Sequence, residues 1–290
     1  MNTENLRTFI ALSKYKNFTK TAESLFVAQS TVTNRIAELE KEVGKKLFER
    51  ERKNIYLTEE GERFLDYAIR ITDLEKAAVD DINTGNKYRF KLSIGSTNTI
   101  YDCHLKDKLN QFVKDNPDIA LKVVISHSMS LNQMAVDGVI DFAFTCVQYK
   151  RNDVECIPYC DDEMILVTDK SNTEFSDGIR LSELTKINCL YCNFTLQGIS
   201  KYIKDLFPKN YRFSFEIDRS ANIIPYLYNS DGYSFLPKKL VSQDISDGRL
   251  IEVPLLDFDI PSIKSFIVTG NKSNNLDKKF KEAFLNIMMS

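Results

Sequence analysis

No uninterrupted apolar run reaches about eighteen residues, the length a membrane-crossing helix needs. The opening stretch MNTENLRTFIALSKYKNF also lacks the apolar core and cleavage site of an export signal. These two absences point to a cytoplasmic protein with no membrane partner. In that reducing compartment the six cysteines are expected as thiols, mostly buried as small hydrophobes. Histidine is scarce. His104 and His127 are the only two, too few and too uncoupled to suggest acid–base catalysis, so no catalytic residue is expected. They also make no pair that would complete a zinc shell, so no metal and no cofactor is expected. Neither an internal repeat nor a low-complexity stretch occurs. The net charge is only −2 although 28% of residues are charged, which excludes a disordered tail and a uniformly basic chain.

What is present suffices for more than one domain: 290 residues, 43% of them hydrophobic. The near-zero net charge hides a local split. Residues 1–58 hold eleven Lys/Arg against seven Asp/Glu, residues 59–87 hold four against eight, and the remainder is close to balanced. A basic head on a near-neutral body suggests that the head meets a polyanion.

That head reads as three short helices and a hairpin. LRTFIALSKY has the spacing of a first helix. In NFTKTAESLF a second helix is capped by Asn17 or Thr19 and buries Ala22, Leu25 and Phe26. After a tight turn at 26–28, VAQSTVTNRIAELEKEVG places Val32, Ile36, Leu39 and Val43 on one face. Gly44 suits the position just past that helix. Its other face carries Ser30 and Asn34, flanked by Thr31 and Thr33, where a solvated helix usually carries Glu and Lys. KKLFERERKNIYLT then reads as two strands around Arg52-Lys53-Asn54. Two helices about a short turn, followed by a basic hairpin, make a winged helix-turn-helix.

A long helix follows from Thr58 to near Gly85. Phe64, Ala68, Ile71, Glu75, Ala78 and Ile82 repeat at heptad spacing, and this seam is expected to pair with a second copy of the chain. From Tyr88 onward strand-like and helix-like stretches alternate, which predicts an α/β region of mostly parallel sheets. At about 203 residues it is large for one sheet, so two subdomains are expected.

FTKTAESLFVAQSTVTNRIAELEKEVGKKLFERERKNIYLTEEG, residues 18–61, resembles the LysR-type transcriptional regulators. It carries Ala-Glu-x-Leu, the Gln before the recognition helix, Ile-x-x-Leu-Glu, Gly-x-x-Leu-Phe-x-Arg and Leu-Thr-x-x-Gly in order. NSDGYSFLPKKLV, residues 229–241, resembles a segment of the family's effector domain. Three positions depart from the pattern: Ala28 where Ser or Thr is common, Ser30 where Pro is common, and Asn34 where Arg is common. The resemblance implies an all-α-dominated winged helix-turn-helix at 1–58, a dimerisation helix at 59–87 and an effector domain at 88–290. That domain would be two Rossmann-like subdomains resembling type 2 periplasmic binding proteins, one of residues 88–161 and 267–290, the other of residues 162–266.

By the same resemblance Gln29, Ser30, Thr31, Thr33, Asn34 and Arg35 would meet base edges of double-stranded DNA in the major groove. Arg50, Arg52 and Lys53 on the wing would hold phosphates or enter the minor groove. A small-molecule co-inducer is expected between the subdomains, near Ser96, Thr97, Asn98, Thr99, His127, Thr145 and Thr195, with capping the readier role for Ser128 and Ser130. Further expected partners are a second copy of the chain, as homodimer or homotetramer, and RNA polymerase. Two other functions compete. Cys189 and Cys192 form a C-x-x-C that suggests a redox switch, although on a strand they would point to opposite faces. A solute-binding protein or enzyme of the same fold is opposed by the missing export signal and by the lack of a coupled nucleophile and base.

Overall fold

Asn2 starts the first helix by accepting the amide of Glu4 at 3.0 Å, so α1 runs Thr3–Tyr15. The computed structural model describes residues 1–51, 54–82, 88–152, 154–193, 198–270 and 276–290. Asn17 likewise caps α2, Phe18–Leu25, through the amide of Lys20. The next helix, α3 at Gln29–Val43, begins at Ala28 with no side-chain cap, so Ser30 does not supply the bond that alanine lacks. Gly44 ends it in the left-handed region at φ 73°. The hairpin strands are β1, Phe48–Glu51, and β2, Asn54–Leu57, paired antiparallel.

Two family-pattern residues now have physical reasons. Glu40, almost buried, accepts the amides of Leu47 and Phe48 at 2.9 and 3.2 Å and the Lys46 ammonium at 2.7 Å. Burial opposes its charge, but these donors outweigh burial and hold its carboxyl below the usual range. Glu40 thereby fixes where the hairpin leaves α3. Gly61 lies so close to that hairpin that a Cβ would meet the Leu47 carbonyl oxygen at 2.2 Å, and no larger residue fits without a shift.

Long helix α4, Glu59–Ile82, packs on its own unit. Ala68 is fully buried, the Phe9 and Phe64 rings meet edge-on at 5.4 Å, and Glu75 accepts from Thr3 and Arg7 of α1 at 2.9 Å each. Phe64, Ala68, Ile71 and Glu75, expected as a seam toward a second chain, therefore face α1 or its core instead. The reason is that α1 offers an apolar stripe of Leu6, Phe9 and Leu12 in the same unit. The later seam positions Ala78 and Ile82 are exposed, as are Tyr67, Leu74 and Val79. The helix end near Gly85 lies outside the described residues.

A second unit, Lys87–Ser290, carries two five-stranded sheets. Its elements run β3 (Phe90–Ser96), α5 (Asn98–Ile100), α6 (Lys106–Asp115), β4 (Ile119–Ile125), α7 (Ser128–Asp137), β5 (Phe142–Thr145) and β6 (Val154–Asp162). They continue with β7 (Met164–Asp169), β8 (Asn188–Cys192), α8 (Ile199–Asp205), β9 (Phe215–Ile217), α9 (Ile224–Leu227) and β10 (Gly232–Pro237). Then come α10 (Lys238–Ser246), β11 (Leu250–Val253), β12 (Ile263–Gly270) and α11 (Lys278–Met289). The first sheet has the order β4-β3-β5-β12-β6 and the second β11-β7-β10-β8-β9. In each sheet four strands run one way and one runs against them. In the first, β4 and β5 run parallel to β3, but β12 is antiparallel to both its neighbours; in the second, β7 is antiparallel to both of its own. The cause is the route of the chain, which leaves one sheet after β6, builds the other and returns in β12. The first sheet takes in Asp162 and residues 263–266, which the family resemblance implied for the second subdomain.

Candidate functional site

The apolar stripe of α3 closes the core of the first unit: Val32, Ile36 and Leu39 are buried with Leu6, Phe9 and Leu12. Packing that stripe leaves Gln29, Ser30, Thr33 and Asn34 exposed together near the start of the helix, with Thr31 half-buried at their edge. Gln29 is held in place, since Thr19 of α2 donates to its Oε1 at 3.4 Å. Thr33 donates back to the Gln29 carbonyl at 3.1 Å and remains exposed. Arg35 turns away from this group. Its Nη1 reaches Thr8 Oγ1 at 3.2 Å and a Glu4 oxygen at 3.4 Å, so α1 rather than solvent receives the guanidinium.

Phe26, expected in the buried face of α2, is 95% exposed. The helix stops at Leu25, and Phe26 takes the left-handed region at φ 55° to turn the chain toward α3, which aims its ring outward. A bulky residue is rare there. On the wing, Arg50 pairs its backbone with Ile55, while Arg52 and Lys53 lie outside the described residues.

In the second unit, the hydroxyl run at the end of β3 is mostly spent on the fold. Ser96 is fully buried and donates to the Thr97 carbonyl at 3.0 Å. Thr97 caps α5 through the Ile100 amide, and Thr99 is nearly buried. Asn98 alone of the four is exposed, and His127, the residue ahead of α7, is exposed too. Thr145 is buried and donates to the Val147 carbonyl at 3.1 Å. Ser128 is not a helix cap; its Oγ accepts the Cys146 amide at 3.1 Å and ties α7 to the end of β5. Thr195 lies outside the described residues.

Between the two sheets stands a contact that no local pattern announces. Arg219, just after β9, grips Asp102, just after α5, with N–O distances of 3.0, 3.2 and 3.3 Å. This fork joins the lobes by two parallel bonds. Beside it the Ser220 Oγ is buried with no hydrogen-bond partner among the described residues.

Cys189 and Cys192 are both buried on β8 as free thiols, and burial pushes each up to about 12, unlike a nucleophilic thiol. His104 is not uncoupled. It sits in a widened, π-helical turn at Tyr101–Leu105. Its Nε2 lies 2.8 Å from Asp162, a residue 58 positions away that sequence spacing gave no means of pairing with it.

Among the described residues no helix is long and apolar enough to cross a membrane. Residues 3–62 match the family model for bacterial regulatory helix-turn-helix proteins of the lysR family, and residues 86–282 match that for the LysR substrate binding domain. The chain is similar to the HTH-type transcriptional regulator CitR of Bacillus subtilis (strain 168), 27% identical over 283 residues, 95% of each chain. It is also similar to HdfR of Yersinia pestis (strain Pestoides F), 32% identical over 157 residues, 54% of this chain and 53% of that one. Among solved structures, CbnR, a LysR family transcriptional regulator, shares the fold with a TM-score of 0.66 at 17% identity, covering 99% of this chain and 98% of that one. Full-length CbnR in complex with its target DNA gives 0.63 at 18% identity, covering 99% of each.

Proposed function

Since the chain belongs to the LysR family of bacterial transcriptional regulators, we propose that the exposed start of α3 reads operator DNA in the major groove. One observation carries this reading: Gln29, Ser30, Thr33 and Asn34 are exposed side by side on a helix whose other face is locked into the core. Short amides and hydroxyls reach base edges without holding the backbone away, and Asn or Gln pairs bidentately with adenine. Arg35 joins them by exchanging Glu4 and Thr8 for the duplex. Arg50, Arg52 and Lys53 hold the backbone beside the groove. Two copies associate through the exposed face of α4 bearing Tyr67, Leu74 and Ala78, so the operator has two half-sites.

A small-molecule effector binds between the two lobes, where Asp102, Arg219 and Asn98 offer polar groups, with His127 just ahead of α7. Binding that favours one lobe arrangement shifts the regulator between DNA-bound states. The protein acts in the cytoplasm by binding rather than by turnover, with RNA polymerase as the downstream partner. A gel-shift titration at two salt concentrations against the region upstream of its own gene tests the reading. The expected result is a complex that survives excess random duplex and weakens steeply with salt; equal affinity for both duplexes overturns it.

A further inference from the structure

Strand β6 carries Cys160 and Asp162 two residues apart, hence on one side of the strand. His104 lies against both. Its Nε2 is 2.9 and 2.8 Å from the two Asp162 oxygens, and its Nδ1 is 3.7 Å from Cys160 Sγ. A carboxylate only accepts, so Nε2 holds a proton and Nδ1 is left to exchange one with sulfur. Nδ1 can therefore take the thiol proton as sulfur attacks, and the Asp162 carboxylate at Nε2 stabilises the imidazolium so formed. The backbone of Cys160 is held from both sides by one hydroxyl: its amide donates to Ser265 Oγ at 3.1 Å and its carbonyl accepts from it at 3.2 Å. Tyr159 stands edge-on to the imidazole at 5.7 Å, and its buried hydroxyl has no hydrogen-bond partner among the described residues.

The other thiols differ. Cys103, Cys146, Cys189 and Cys192 are buried, and burial pushes all four thiols up, the last three to about 12. Cys156 shares the half-buried state of Cys160 but has no imidazole beside it in the described contacts. For His104, burial disfavours the charged ring, yet the bonds to Asp162 and Cys160 outweigh burial and lift it to about 9. The groups that face this centre are Asp162, Cys160 and Tyr159 of β6, Asp102 and Cys103 of its own segment, Cys146 after β5, and Lys108 of α6 over the Tyr159 ring.

We propose that Cys160 is a covalent modification site for soft carbon electrophiles of the α,β-unsaturated carbonyl class, with His104 as its proton partner and Asp162 as the residue that positions the ring. The thiolate sulfur bonds to the β-carbon, and the π pair of the double bond moves toward the carbonyl oxygen as an enolate. The α-carbon then takes the proton from His104 Nδ1–H. The net change adds S–H across the double bond, consumes no oxidant and returns the imidazole to its neutral form.

The test treats the full chain with limiting N-ethylmaleimide, itself an α,β-unsaturated carbonyl, and maps adducts by peptide mass. Cys160 is expected to label about tenfold or more faster than Cys156 at pH 6.5. In His104→Gln the Cys160 rate should fall about tenfold at pH 6.5. Unchanged Cys156 labelling in the same digest reports an intact fold. Labelling of Cys160 no faster than Cys156 in the unaltered chain overturns the proposal without recourse to any variant. An undiminished rate in His104→Gln overturns the role of the imidazole.

Discussion

Asn34 is exposed on α3, turned away from the stripe that Val32, Ile36 and Leu39 bury. Replacing it with Ala should cost about 1–3 kcal/mol of specific DNA binding and leave binding to random duplex nearly unchanged, as read by competition gel shifts. Arg35→Ala should cost a similar amount, about 1–3 kcal/mol. Glu4→Gln should not weaken binding at all, because the arginine must leave that carboxylate to reach the groove. Glu40 makes a different kind of prediction. Glu40→Ala strands the buried amides of Leu47 and Phe48, so chemical denaturation should show a loss of about 1–3 kcal/mol in the first unit. At this scale much was legible from the chain alone, since side-chain chemistry and helical spacing are local. Phe26 was not legible. Its apolar character argued for burial, but the backbone turn between two packed helices decided where its ring goes.

Among elements, α4 shows how one pattern serves two masters. A heptad repeat states that a stripe will be covered and not by what. Here α1 covers Phe64, Ala68 and Glu75, and apolar residues left exposed include Tyr67, Leu74, Ala78 and Ile82. Two substitutions separate the roles. Ala68→Leu should overpack the α1–α4 contact and lower the stability of the unit by about 1–3 kcal/mol. Tyr67→Glu should instead lower the fraction of dimer in sedimentation while leaving the unfolding midpoint of dilute protein close to unchanged. The strand-and-helix alternation of the second unit was readable in the same local sense. The direction of β12 was not, because it depends on where the chain re-enters a sheet after building another.

For the molecule as a whole, pH should act through His104. Its folded value is raised from 6.5 to about 9, so its stabilising contribution is complete below pH 6.5 and fades as pH rises through 9. Urea midpoints measured across that window should fall with pH, and His104→Gln should remove this part of the slope. The Arg219–Asp102 fork acts at the same scale, tying one lobe to the other. Loss of the guanidinium in Arg219→Ala should reduce the thermal shift produced by an anionic effector.

Helical and strand periods, end caps and the motif spacing of residues 18–61 are properties of neighbours along the chain, and they suffice to specify a winged helix-turn-helix ahead of an α/β region. The pairings that give the second unit its chemistry are of another kind. His104 meets Asp162 across 58 positions and Arg219 meets Asp102 across 117. No period spans such separations. They exist only because two crossings between sheets bring distant turns to one place.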